Sequence, residues 1–294
     1  MQETYTFEQI KGYCSLIDEI VEKSECVIEK AFEIEVDHSF EIAALLSIRE
    51  IADYADGVSI LINHQSNDST IPIIRSMFEL SAGLEYLLQE DFDNRAKKLL
   101  YFYYKMKEVE LLKIKKGTIE NEKFIKNIKQ DKNIDEETLL EMQLEQNIDD
   151  KLEAVQKIIH GEVYSELEQY YNKAREEKKR YWYSLLDGPT SFRKLIESLN
   201  MRSRYHISYN LWSGYSHGWD IIIRNLVFEE EERVRIVAKR NPTGSSQNAL
   251  ESIMILRRSL MKYVKTRLEK KAKEFAVWLL GFNERMEVIF DFKK

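Results

Sequence analysis

The stretch Tyr205–Asp220, Y-H-I-S-Y-N-L-W-S-G-Y-S-H-G-W-D, contains the side-chain pattern around which the rest of the chain is arranged. Tyr205, Tyr209, Ser213 and His217 recur every four residues. On an α-helix, at about 100° per residue, such positions form one polar and aromatic stripe. We therefore predict a helix here that carries three hydroxyl groups and an imidazole along one face.

Composition predicts an all-α fold for the whole chain. The 294 residues include only three prolines and ten glycines, so helices are rarely interrupted. Hydrophobic residues make up 44% and charged residues 32%, which is typical of a globular protein with a solvated surface. We predict a multi-helix bundle in which residues 1–294 form a single helical domain.

Apolar residues with a period near 3.6, together with capping residues, define the individual helices. The predicted ranges are Thr6–Glu35, a second helix from Asp37 or Ser39 to His64, a third from Ser69 or Thr70 to Leu88, then Asn94–Lys116, a short helix from Thr190 or Ser191 to Leu199, Arg202–His217 with a helical continuation to Phe228, and Ser246–Leu280.

The segment 118–179 differs from its surroundings because it is rich in charged residues and poor in apolar ones. Thr118–His160 alone contains 11 acidic and 6 basic residues. We predict an inserted arm, a charged helical hairpin formed by Glu136–Ile159 and Glu162–Lys178, that protrudes from the bundle. Such a surface is a candidate binding site for a protein partner.

Strand is expected only near the C-terminus. The segment Arg233–Lys239, R-V-R-I-V-A-K, alternates charged and apolar residues, which is typical of a strand. Met286–Phe292, M-E-V-I-F-D-F, is the candidate partner strand. We predict a small two-stranded ribbon.

The sequence indicates a cytoplasmic protein that does not enter a membrane. No apolar run approaches the roughly 20 residues needed to cross a bilayer. The N-terminus carries acids where a secretory signal carries bases. Cys14 and Cys26 are too far apart on one helix to form a disulfide, and free thiols fit a reducing compartment.

Charge is distributed unevenly along the chain. The net charge of -7 disfavours binding of nucleic acid over the whole surface. Glu251–Lys294, however, contains 11 basic and 6 acidic residues. This excess gives either a local basic surface that could contact RNA or a solvated helix face.

Metal and cofactor sites are not expected. Glu35 and His38 form one Glu-x-x-His, whereas a di-iron bundle needs two. The sequence contains no C-x-x-C, H-E-x-x-H or G-x-G-x-x-G motif.

Arg75 and Glu79 form the second polar feature of the sequence. They lie four residues apart on the third helix, so they share a face among apolar neighbours such as Met77 and Phe78. A guanidinium removed from water needs a carboxylate and further acceptors. We therefore predict that both side chains meet the helix of Tyr209, Ser213 and His217, more than 120 residues away.

In these two segments the chain resembles a broad group of uncharacterised bacterial helical proteins with an Arg-x3-Glu helix and a later Ser-x3-His-Gly helix. Arg75 and Glu79 match the first motif, and Ser213, His217 and Gly218 match the second. This group is similar to the HEPN superfamily of nucleotide- and RNA-associated helical bundles. The resemblance implies an effector that binds or cleaves RNA in bacterial stress or phage defence.

Active HEPN ribonucleases place an arginine shortly before a histidine. His217 has no such arginine before it, so the resemblance implies that Arg75 supplies the cation from another helix. In a metal-independent ribonuclease of this kind, His217 would move a proton and Arg75 would stabilise the developing negative charge. Ser213 or Tyr209 would position the phosphate, and Asp220 would orient the imidazole.

A structural role for His217 stays open as the alternative to catalysis. His217 could instead be a buried, hydrogen-bonded core histidine near Arg75 and Glu79. The protein would then be a non-catalytic scaffold that uses the charged arm to bind a protein partner or a second copy of the chain.

Overall fold

The computed structural model describes residues 6–33, 38–130, 147–177, 181–185, 188–218, 221–228 and 234–291. Within these ranges the protein is all-α apart from one two-stranded ribbon, as the composition predicts. The elements are α1 (Phe7–Phe32), α2 (His38–Asn63), α3 (Thr70–Leu87), α4 (Phe92–Ile114), α5 (Ile119–Ile128), α6 (Ile148–Ile159), α7 (Leu167–Glu176), α8 (Phe192–Ser198), α9 (Asn210–His217), α10 (Ile221–Asn225), β1 (Leu226–Phe228), β2 (Val234–Ile236), α11 (Ser245–Arg267) and α12 (Ala272–Phe290).

The chain divides into two compact units, and the first comprises residues 1–92 and 192–294. Its core is formed by α1, α2, α3 and α11, which pack against one another. Thr6 begins α1 with a capping box to Gln9. Ala44, Ala52 and Ala55 of α2 are fully buried, and their small side chains allow neighbouring helices to approach closely.

The second unit comprises residues 93–191. Tyr101 of α4 is fully buried and contacts the rings of Tyr164 and Tyr171. Lys105 and Glu108 form a buried ion pair at 2.6 Å. Aromatic packing therefore joins α4 to α7 within this unit.

The segment predicted to form a charged arm lies within the second unit. It contains α5, α6 and α7, of which α5 was not predicted. The first part of the predicted hairpin helix Glu136–Ile159 falls on 131–146, outside the described residues. Protrusion of this segment as an arm stays a prediction.

The ribbon is present, but its predicted pairing is wrong. β1 pairs antiparallel with β2, with Leu226 opposite Ile236. Met286–Phe290 instead belongs to α12, where Met286 is buried and Phe290 stacks on Tyr13 of α1 at 5.0 Å. Strands close in sequence pair at a small entropic cost. The predicted helical continuation to Phe228 is confirmed for Ile221–Asn225, which form α10, and is wrong for Leu226–Phe228, which form β1.

The predicted closing helix Ser246–Leu280 is two helices. Leu268 has φ -120 and ψ 44, which ends α11, and α12 begins at Ala272. Leu268 is itself buried, so the break is part of the core. None of the helices among the described residues combines the length and apolar content that a bilayer-spanning helix needs.

Candidate functional site

The helix that carries the polar stripe has an irregular first half. A single α-turn at Arg202–Arg204 leads into a π-helical turn at Tyr205–Tyr209, and α9 follows. The backbone N–H of Asn210 donates to the carbonyl of Tyr205, a five-residue step. The rings of Tyr205 and Tyr209 stack at 5.0 Å. Single π turns inside helices are frequent at functional sites.

Aromatic packing fixes this helix against α3. Phe78 of α3 is almost fully buried, and its ring lies 5.7 Å from that of Trp212 and 6.1 Å from that of Tyr209. The ring of Phe192, at the start of α8, lies 4.9 Å from that of Tyr209. Edge and tilted contacts at these distances stabilise aromatic clusters. Tyr209 is therefore held in place by its ring, and its hydroxyl group is directed by that packing.

Arg75, Glu79 and Tyr209 form a closed hydrogen-bond network that we call the Arg75 cluster. The Nε of Arg75 donates to Oε1 of Glu79 at 3.1 Å, and its Nη2 donates to the Tyr209 hydroxyl at 3.0 Å. Tyr209 in turn donates to Oε1 of Glu79 at 2.7 Å. The guanidinium carbon also lies 5.0 Å from the centre of the Tyr209 ring. Each member thus restrains the other two.

The environment of the cluster keeps both Tyr209 and Arg75 protonated. Burial, followed by the hydrogen bond to Glu79, raises the pKa of Tyr209 above its usual value. Burial lowers the pKa of Arg75, but its hydrogen bond to Tyr209 and its proximity to Glu79 outweigh that effect and raise the pKa. The phenol therefore stays neutral at physiological pH and donates to the carboxylate.

The Arg75 cluster is open to solvent. The side chain of Arg75 is 22% exposed and that of Glu79 is 42% exposed. The Nε and Nη2 of Arg75 make the contacts to Glu79 and Tyr209. Within the described part of the chain, its Nη1 has no hydrogen-bond partner. An added anion therefore finds a guanidinium that is held in one orientation and has a donor to spare.

The structure brings together three of the predicted site residues, namely Arg75, Glu79 and Tyr209. Ser213 follows one turn later and is half-buried, and His217 follows two turns later with an exposed side chain. Neither is among the hydrogen-bond partners of Arg75 in the described residues. Asp220, the predicted partner of the imidazole, lies outside the described residues.

Arg204 is a neighbour of the cluster that sequence reasoning missed. Its guanidinium lies 5.7 Å from the centre of the Phe78 ring and donates to Glu251 of α11 at 2.7 Å. The R-S-R run at Arg202–Arg204, directly before the stripe, was the available signal.

Fold and site together define an all-α protein with a partly exposed Arg–Tyr–Glu network between two helices. The family described as a family of unknown function (DUF5677) matches residues 41–234, which include every residue of the Arg75 cluster. The chain belongs to this family. No curated protein and no solved structure matches the chain. The resemblance to an uncharacterised helical family is thus confirmed, and the relation to the HEPN superfamily stays a prediction.

Proposed function

We propose that this protein is a HEPN-like helical effector that binds RNA, with the Arg75 cluster as a contact for a backbone phosphate. The observation that carries the proposal is the fixed orientation of the Arg75 guanidinium. Its Nε and Nη2 donate hydrogen bonds to Glu79 and Tyr209, while part of the side chain stays exposed to solvent. A role in bacterial stress or phage defence is supported by the resemblance alone.

A phosphate is the ligand class that suits this arrangement best. Guanidinium groups bind phosphate oxygens through charge-assisted hydrogen bonds, and orientation before binding reduces the entropic cost. Tyr209 maintains that orientation because it accepts from Arg75 and donates to Glu79. The same phenol, kept neutral, does not repel an approaching anion.

Cleavage of the bound RNA is the stronger form of the proposal. His217 is exposed, and imidazole is the commonest group for proton transfer in catalysis. It follows Tyr209 by eight residues, or roughly 12 Å along a helix at 1.5 Å per residue. At that spacing Arg75 and His217 would contact different phosphates of an RNA strand that extends along α9. Arg75 would hold the strand while His217 transfers a proton at another phosphodiester. Ser213 lies between them in sequence and would position the strand.

A non-catalytic interaction protein is the second candidate. Ile207 and Leu211, one turn apart beside Tyr209, are 73% and 57% exposed. Neighbouring exposed apolar side chains of this kind are typical of protein-binding surfaces. In this form of the proposal the Arg75 cluster holds α3 and α9 together, and the exposed pair or the charged segment 118–179 contacts the partner.

RNA binding by variants of Arg75 and His217 tests the proposal. Fluorescence anisotropy with a labelled single-stranded RNA would measure affinity, and gel analysis of the same RNA would measure cleavage. We expect Arg75→Ala to weaken binding at least tenfold and His217→Ala to bind normally without cleaving. Arg49→Ala is the matched control, because Arg49 also pairs with an acid one turn away on a helix of the first unit.

Two results would decide against RNA binding at this cluster. One is equal affinity of the Arg75→Ala and Arg49→Ala proteins for RNA. The other is no binding by the wild type at low salt, which would favour the interaction protein. In that case Ile207→Asp with Leu211→Asp should abolish capture of the partner while the protein stays folded.

A further inference from the structure

A second polar feature of the first unit is a groove beside α11, which we call the basic groove. It has a volume of about 420 Å³. Its walls contain cationic side chains, two methionines and one carboxylate, and the lining residues are Glu85, Arg204, Met254, Arg257, Arg258, Met261, Lys262 and Lys265. A volume of this size is within the usual range for small-molecule sites.

Two of the five cations in the basic groove are already neutralised. Arg258 donates to both carboxylate oxygens of Glu85, with its Nη2 at 3.0 Å from Oε2. Arg204 donates to Glu251 at 2.7 Å. The other three cations, Arg257, Lys262 and Lys265, form no ion pair within the described part of the chain. The groove therefore keeps an excess of three positive charges in a protein with a net charge of -7.

Arg257 gives a more specific indication. Its Nε is buried and has no hydrogen-bond partner among the described residues, and its Nη1 contacts only the sulfur of Met254, at 3.6 Å. A buried guanidinium nitrogen without a partner is costly, and such groups are usually satisfied by an unseen ligand or water. A guanidinium whose buried Nε lacks an acceptor among the described residues, in the wall of a cationic groove, points to an anionic ligand.

The two methionine side chains of the basic groove indicate which class of anion would bind there. Met254 and Met261 are 36% and 41% exposed. On α11, Met254 lies one turn before Arg257, and Met261 lies one turn before Lys265. Their flexible thioether side chains provide an adaptable apolar surface. A ligand with both phosphate groups and a flat apolar part, such as a nucleotide, matches cations and methionines together.

We propose that the basic groove binds the phosphate groups of a nucleotide, as a free nucleoside polyphosphate or as part of an RNA strand. The RNA form rests on the proposed function, because the strand would also contact Arg75. Arg204 belongs to the groove and directly precedes the π turn of Tyr209. Most of the groove lies on α11, beyond the residues that match the family.

A charge-matched pair of double variants tests the proposal. Lys262→Ala with Lys265→Ala removes two cations from the groove. Lys270→Ala with Lys273→Ala removes two exposed cations elsewhere in the first unit. Titration calorimetry with ATP and with inorganic pyrophosphate would measure the small ligands, and anisotropy with single-stranded RNA would measure the strand. If the Ala protein is unstable, Lys262→Gln with Lys265→Gln replaces it, because Gln keeps most of the side-chain length.

We expect the groove variant to lose at least tenfold in affinity for ATP or for RNA, and the control to change less than twofold. Loss for ATP and pyrophosphate assigns the groove to free nucleotides, and loss for RNA alone assigns it to the strand. In the RNA case the slope of log K against log salt should shrink by roughly 1.4, since each contact to a single strand contributes about 0.7.

The proposal is overturned if the wild type binds none of the three probes at low salt, or if both double variants bind them equally. Arg75→Ala separates this test from the previous one. Retained ATP binding by Arg75→Ala, together with loss in the groove variant, supports the groove whether or not RNA binds at the Arg75 cluster.

Discussion

Tyr209→Phe removes a single oxygen atom from the centre of the Arg75 cluster. The ring contacts with Phe78, Phe192 and Tyr205 persist, because they involve the aromatic carbons. The variant therefore isolates the contribution of the hydroxyl group to the stability of the first unit.

The size of the effect follows from the partners of that hydroxyl. It donates to Glu79 at 2.7 Å and accepts from Arg75 at 3.0 Å, and hydrogen bonds to charged groups contribute about 1.5–3 kcal/mol each. Glu79 is 42% exposed, and it stays paired with Arg75 after the substitution. Because water can replace the lost contacts, we expect a loss of only about 1–2 kcal/mol in the free energy of unfolding.

Hydrogen exchange of peptides from α3, measured by mass spectrometry, reports the first unit without contributions from residues 93–191. Tyr205→Phe is the control, since it removes the same atom from the ring stacked on Tyr209. We expect it to change protection by less than about 0.5 kcal/mol. Equal protection in the two variants would show that the network contributes no stability. A loss above about 4 kcal/mol would show that the cluster is sealed from water.

Two further predictions concern charge. Arg267→Ala should cost about 3–5 kcal/mol in unfolding free energy, because it leaves Glu41, whose side chain is only 5% exposed, without its partner at 2.7 Å; a cost near that of exposed Arg49→Ala would contradict this. The stability difference between the wild type and Tyr209→Phe should be constant below pH 10 and narrow above it. The pKa of Tyr209 in the folded state is raised above 10.0, so the stability that its hydroxyl group contributes is lost as pH rises past 10. Urea unfolding of both proteins from pH 8 to pH 11 measures this difference in stability. A difference that stays constant up to pH 11 would show that folding does not raise the pKa of Tyr209.

Most of the fold could be predicted because helices are specified locally. The apolar period predicts α1, α2 and α3 at nearly their observed positions and α11 at its observed start, since each buries one face against the others. The errors fall where tertiary contacts decide. Leu226–Phe228 becomes a strand only because β2 pairs with it, and Leu268 breaks a helix that its own sequence would continue.

The site was predictable to the extent that it follows from the cost of burying charge. Arg75 needed a carboxylate and a further acceptor, and it has both in Glu79 and Tyr209. The π turn at Tyr205–Tyr209 has no sequence pattern of its own, so its effect on the stripe was not foreseen. The basic groove was seen only as an excess of bases in the C-terminal segment. Its shape depends on the approach of Arg204 and Glu85 to α11.

The proposed roles of the two features differ because their charges differ. In the Arg75 cluster one cation is balanced by Glu79, so the cluster has little long-range attraction for a polyanion. It can contribute orientation and a short-range phosphate contact. The basic groove retains three cations that form no ion pair among the described residues, and these can attract an anion over the distance that salt screening allows. If one RNA strand uses both, loss of Lys262 and Lys265 should weaken binding mainly at low salt. Loss of Arg75 should weaken it with a smaller change in salt dependence, because one phosphate contact is lost rather than two.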